Sequence, residues 1–165
     1  AYCEWSRPLS ENVPRKALIY YATAHGNTEQ MAAEVEKGLK SVGIDVEVYN
    51  TEKLDIAQHL DRIEAADAIL LGSPTINNDA VKPIWDILNS LTTLEIKGKI
   101  GGTFGSIGWS GEATKLLDER LAAMKLRVPF EGLQAVLVPS HEELNNCFEF
   151  GRKIANEILQ TKQEE

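Results

Sequence analysis

Short apolar runs alternate with amphipathic segments along almost the whole chain, and that alternation limits the possible folds more than any other feature. Residues 16–22 and 67–72 read as strands buried on both faces, and 99–104 and 134–138 as two more. Residues 44–49 alternate apolar and charged side chains, as an outer strand does. Between these runs the spacing turns helical. Met31, Ala32, Val35, Leu39 and Val42 make the first stripe, with Gly43 at the place of a helix C-cap. Residues 54–64 read as a short amphipathic helix. Ile84, Trp85, Ile87, Leu88 and Leu91 follow, with Pro83 early in the helix, where a missing N–H costs least. Ala113, Leu116, Leu117, Leu121 and Met124 make a fourth stripe. Leu144, Phe148, Ile154, Ala155 and Ile158 make a fifth over about 141–159, and a polar tail at 160–165 is expected to fray. Strands alternating with helices imply an α/β fold, a parallel sheet with helices on both faces. Right-handed crossovers limit its topology. Five strands fit the doubly wound order 2-1-3-4-5, whose ligand site lies at the carboxyl ends of the strands, near the switch point.

In that order the first, third and fourth strands end side by side, and the loops after them are the unusual ones. The first is Ala22-Thr23-Ala24-His25-Gly26-Asn27-Thr28, the second Ser73-Pro74-Thr75-Ile76-Asn77-Asn78-Asp79, the third Gly105-Ser106-Ile107-Gly108-Trp109-Ser110-Gly111. All are rich in Gly, Ser, Thr or Asn, and none carries Lys or Arg. The first joins a strand to a helix N-terminus, whose amides have no internal partner. The helix dipole adds partial positive charge there, so a phosphate binds without a cation. Thr23 and Thr28 add hydroxyls, Asn27 an amide, and Gly26 a tight turn. Read alone, this loop is equally an ordinary turn with Asn27 or Thr28 as N-cap. It has neither the Gly-x-Gly-x-x-Gly of dinucleotide folds nor the Lys-Ser/Thr of a nucleoside-triphosphate loop. Gly105 and Gly108 let a flat ring lie close to the main chain. Trp109 either stacks on that ring or is a hinge or core aromatic. Asn77 and Asn78 either bind the polar edge of a heterocycle or cap the next helix with Asp79. A phosphate joined to a planar polar ring describes flavin mononucleotide, FMN.

Composition bounds the function classes. The 165 residues suggest one domain, 43% apolar and 25% charged, as in soluble globular proteins. The formal net charge of −8 disfavours nucleic acid and anionic membrane as partners. Cys3 and Cys147 stand alone, which reads as reduced thiols in a cytoplasmic protein. His25, His59 and His141 show no metal-ligand spacing. No apolar run approaches the roughly 18 residues of a membrane span. Residues 1–15 read as a leader and linker, broken by Pro8 and Pro14, in which Tyr2 and Trp5 are oddly large for a free terminus. The chain opens on Ala1 rather than Met, which reads as processing or as a piece of a longer protein.

The span from about 16 to 160 resembles flavodoxin-like domains. Residues 23–28 look like the flavodoxin phosphate loop Thr-x-Thr-Gly-Asn-Thr, with His25 in place of the middle threonine. The second and third loops are most similar to those of the C-terminal FMN domain of flavodiiron proteins, the A-type flavoproteins. Ile107 stands where that family often has an aromatic residue. Tyr2-Cys3-Glu4-Trp5-Ser6 resembles the end of the metallo-β-lactamase-like domain that precedes it. The resemblance implies three parts: 1–15 as the end of a preceding domain plus linker, 16–160 as the FMN domain, and 161–165 as a tail. It implies electron transfer from a rubredoxin-like or NAD(P)H-linked donor to a diiron site reducing O2 or NO, in a homo-oligomeric parent. The family's iron ligands have no counterpart in these residues, so no catalytic or metal-binding residue is assigned. A stand-alone flavodoxin and an FMN-dependent NAD(P)H:quinone reductase are the alternatives on the same fold. A phosphoacceptor signalling domain is disfavoured, because Tyr20-Tyr21 and Gly72-Ser73 occupy the strand ends where that chemistry needs acids.

Overall fold

The computed structural model describes residues 15–22, 27–51, 55–73, 82–91, 99–107, 112–124, 126–129, 132–136 and 141–164. Five strands, β1 (Lys16–Tyr21), β2 (Asp45–Asn50), β3 (Ala68–Gly72), β4 (Ile100–Ile107) and β5 (Leu133–Val136), form one sheet in the order β2-β1-β3-β4-β5. Every pairing is parallel. The helices are α1 (Asn27–Ser41), α2 (Leu60–Ala65), α3 (Lys82–Leu91), α4 (Glu112–Ala123) and α5 (His141–Glu164).

The period-2 alternation of a strand divides the core in two. Ala17, Ile19, Tyr21, Ala68 and Leu70 face α1 and α5, packing with Met31, Val35, Leu39, Phe150 and Ile154. Leu18, Tyr20, Ile69 and Leu71 face α2, α3 and α4, packing with Ile63, Ile84, Leu88, Leu117 and Leu121. The doubly wound order read from the sequence is therefore the observed one, with helices on both faces. Cys147 is buried within α5, and burial pushes its thiol up to about 12.

Most strand bounds shift by a residue or two, and three boundaries differ in a way that has a physical reason. Strand β4 runs on past 104 to Ile107, because β5 pairs with Phe104, Gly105, Ser106 and Ile107 after β3 has ended at Gly72. The segment expected as one helix over 54–64 starts as a 3-10 turn, Ile56–His59, capped by the Asp55 carboxylate accepting from Ala57 N–H at 3.1 Å. Helix α5 continues to Glu164 instead of fraying at 160, since Gln160-Thr161-Lys162-Gln163-Glu164 contains no Gly or Pro to stop it. Gly43 behaves as read: its φ of 97° is the left-handed conformation that ends α1.

The sheet edge at β2 is held by polar contacts. Glu47 pairs with Lys16 and accepts from the Tyr49 hydroxyl, with Arg62 3.9 Å away. Tyr49 stacks on Tyr20 at 5.5 Å, and the buried His59 meets Tyr49 edge-on at 4.5 Å. The Tyr20 hydroxyl lies 3.3 Å from His59 Nδ1. Burial, and then the Arg62 charge, hold His59 below its ordinary value of 6.5 despite Glu47 and Asp55. A folded pKa below the unfolded one means that the unfolded chain takes up this proton first. The His59 contribution is thus complete above about pH 6.5 and is lost as pH falls below it.

Helices α1 and α5 cross through two glycines. A Cβ on Gly38 would lie 2.0 Å from the Phe148 carbonyl oxygen, and one on Gly151 would lie 2.3 Å from that of Val35. Gly38→Ala is expected to cost about 1–3 kcal/mol by overpacking, read as a lower urea midpoint; an unchanged midpoint would show the crossing gives way freely. Acidifying from pH 7 to 5.5 is expected to lower stability in part through His59. In a His59→Gln protein that share of the slope should vanish, and an identical slope would refute it.

Candidate functional site

The site starts from where three strands stop. Register places Tyr21 of β1 beside Gly72 of β3, and Gly72 beside Phe104 of β4. At a strand spacing of roughly 4.8 Å, the three ends span about 10 Å. Two hydrogen bonds carry the ladder one step beyond them. Ala22 N–H donates to the Gly72 carbonyl at 3.0 Å, and Ser73 N–H to the Phe104 carbonyl at 3.0 Å. The first residues of the first two loops, Ala22 and Ser73, are therefore fixed to the strand alongside.

Small residues make this possible. A Cβ on Gly105 would lie 2.0 Å from the Ser73 carbonyl oxygen, so only glycine lets β4 pass the second loop here. A Cβ on Gly72 would lie 2.3 Å from the Phe104 ring, which fills the space under that strand end. Ser73 and Thr28 are fully buried. Asn27 is the first residue of the 15-residue helix α1 and Thr28 the second, so the amide-rich N-terminus of a long helix stands at the same edge. Tyr21 donates to the Glu29 carboxylate in the first turn at 3.2 Å, and burial, then Glu29, push the Tyr21 phenol upward.

Of the residues singled out in the sequence, Asn27, Thr28, Ser73, Gly105, Ser106 and Ile107 are among those described, all at this edge. Residues 23–26, 74–78, 108, 109 and 111 lie outside the described residues. Gly105, Ser106 and Ile107 stand on β4 rather than in the loop assigned to them. Two supports escaped the sequence reading: Phe104 beneath Gly72, and the Ala22 amide that ties the first loop to β3. The signal for the first was the Gly72-Ser73 pair, small residues ending an otherwise bulky strand. Among the described residues no group of His, Cys, Asp and Glu is placed to hold a metal ion, and no helix is long and apolar enough to cross a membrane.

Residues 19–151 match the flavodoxin family model. The chain belongs to the flavodoxin family. It is 43% identical over 155 residues to the type A flavoprotein fprA of Rhodobacter capsulatus, covering 93% of this chain and 36% of that protein. It is 40% identical over 145 residues to the flavo-diiron protein FprA2 of Clostridium acetobutylicum, covering 85% and 36%. Among solved structures, the rubredoxin oxygen:oxidoreductase of Desulfovibrio gigas superposes with a TM-score of 0.85 at 30% identity, covering 93% of this chain and 38% of that one. The chain thus spans about a third of the length of the curated relatives it matches.

FMN is the cofactor of flavodoxins, and the geometry of this edge fits it. The edge offers main-chain amides, small residues and hydroxyls. The sequence places no Lys or Arg in 22–28, 73–79 or 105–111. A phosphate here has a helix N-terminus to bind, and a flat ring has glycine backbone to approach. Gly105→Ala is expected to weaken FMN binding at least about tenfold while leaving the far-ultraviolet circular dichroism intact, because the methyl must push the Ser73 carbonyl aside. Unchanged affinity would show that the spacing of the two loops does not matter.

Proposed function

We propose that this chain is the electron-transfer module of a flavodiiron-type oxidoreductase. In this reading the main chain of residues 23–28, with the hydroxyls of Thr23 and Thr28 and the amide of Asn27, holds the FMN phosphate. His25 offers an imidazole N–H where the flavodoxin pattern has a threonine. Residues 73–78 and 105–111 frame the ring, Asn77 and Asn78 at its polar edge and Trp109 at its rim, excluding water. When bound, FMN supplies redox chemistry in one-electron steps. The chain sets the energies of those steps. Its net charge of −8 opposes added negative charge on the ring, which lowers the potential.

Electrons arrive from a rubredoxin-like or NAD(P)H-linked donor and leave to a diiron site outside this sequence, in a homo-oligomeric parent. The flavo-diiron relative and the rubredoxin oxygen:oxidoreductase support that context, since each matches over only about a third of its length or slightly more. The same reading makes residues 1–15 the end of a preceding domain plus linker. The observation that supports the site assignment is that the ends of β1, β3 and β4, which lead into three cation-free stretches of sequence, lie side by side, with Ala22 and Ser73 tied to the neighbouring strands by the Ala22–Gly72 and Ser73–Phe104 hydrogen bonds.

The 165-residue chain is expected to be yellow as purified, or to turn yellow with FMN and quench its fluorescence at one per chain. A redox titration should resolve two separate one-electron steps. Folded chain that stays colourless in excess FMN would overturn the proposal.

A further inference from the structure

Among the described residues, β4 beyond Phe104 pairs with β5 through Gly105, Ser106 and Ile107, while on its β3 side the Ser73 carbonyl oxygen would lie 2.0 Å from a Cβ on Gly105. Strand β5 spans Leu133–Val136 at the sheet edge. What holds β5 therefore helps to set the course of Gly105, Ser106 and Ile107, the described start of the third loop.

Besides the ladder itself, one carboxylate ties the two strands together. Asp118 of α4 accepts from the Thr103 hydroxyl through Oδ1 at 2.7 Å and from Gly132 N–H through Oδ2 at 2.8 Å. Thr103 is fully buried in β4, one residue before Phe104, and Gly132 immediately precedes β5. The two oxygens thus bridge β4 to the entry of β5, with α4 as the bracket. Space is as tight as the bonding. A Cβ on Gly132 would lie 2.2 Å from Thr103 Oγ1 and 2.5 Å from Thr114 Cβ. The Thr103 hydroxyl also approaches the Thr114 carbonyl at 3.5 Å, and Thr114 Cγ2 is 3.6 Å from where a Cβ of Gly105 would stand. The network therefore reaches the base of the third loop without belonging to it. A hydrogen bond to a charged acceptor is stronger than one between neutral groups, and a buried donor left unpaired is costly.

The geometry points to Asp118 as a positioning residue for the ring side of the flavin site: it sets the third loop by clamping Thr103 of β4 to Gly132 at the start of β5. This rests on the reading that residues 105–111 frame the FMN ring. A carboxylate that served the fold alone would change stability and leave the cofactor's properties as they were.

The test compares the 165-residue chain with Asp118→Ala, Thr103→Val and Thr103→Ser. FMN and riboflavin dissociation constants, the visible circular dichroism of bound FMN and its two one-electron potentials are measured for each. Asp118→Ala and Thr103→Val should both weaken FMN about tenfold, the equivalent of about 1.4 kcal/mol, and change the circular dichroism and at least one potential. Riboflavin, which lacks the phosphate, should weaken by the same factor, because the loss lies on the ring side. Thr103→Ser keeps the hydroxyl and should restore the original values. If Asp118→Ala does not fold, the Thr103→Val and Thr103→Ser pair, close in volume to the original, decides alone. Lower stability with unchanged potentials and unchanged riboflavin affinity would overturn the inference. Failure of the unaltered chain to bind FMN would instead overturn the reading beneath it.

Discussion

Parallel strands that end in register, and go on sharing hydrogen bonds one residue past their ends, are the constraint on which the rest of the molecule depends. The Ala22–Gly72 and Ser73–Phe104 bonds mean that the first two loops begin inside the ladder. A residue tied into a shared ladder has little freedom, so the main-chain groups of Ala22 and Ser73 are oriented before any ligand arrives. Such preorganisation lowers the entropic cost of binding. In the proposed function it is main-chain amides and a helix dipole, not cations, that hold the phosphate.

The two faces of the sheet serve this edge differently. On one face α1 and α5 cross at Gly38 and Gly151, close enough for each helix to touch the other's backbone, which anchors the helix whose N-terminus stands at the site. On the other face α4 braces β4 and β5 through Asp118. The β2 edge is held by aromatic packing of Tyr20, Tyr49 and His59 and by the charges around Glu47. Burial of His59, which holds its imidazole below the ordinary value, makes that edge sensitive to mild acid.

Much of the fold was legible because it rests on local patterns. The buried runs at 16–22 and 67–72, the helical stripe from Met31 to Leu39 and the C-cap at Gly43 each carry their signal within a few residues. The misread end of β4 has a non-local cause. The extension of β4 to Ile107 depends on a partner more than two dozen residues away, and Gly105, which looks like a loop residue in isolation, is needed where β4 passes Ser73. The proposed site rests on three stretches of one chemical character in the sequence, of which the structure describes Asn27, Thr28, Ser73, Gly105, Ser106 and Ile107. The bracket of Thr103, Asp118 and Gly132 was not, because an Asp inside an amphipathic helix looks like any solvated residue until the strand it faces is known.

The sequence alone determined the alternation of elements, and with it the parallel doubly wound sheet, because hydrophobic periodicity and caps act over short range. It also determined the composition of three loops rich in Gly, Ser, Thr or Asn and free of Lys and Arg, which in the proposed site leaves main-chain amides to hold an anion. Tertiary structure alone decided how the strand ends that lead into those loops are spaced and supported: which amide bonds which carbonyl across strands, where a glycine is needed, and which helical carboxylate bridges to an edge strand. Those are distances between residues remote in the chain, and they are set by packing rather than by local preference.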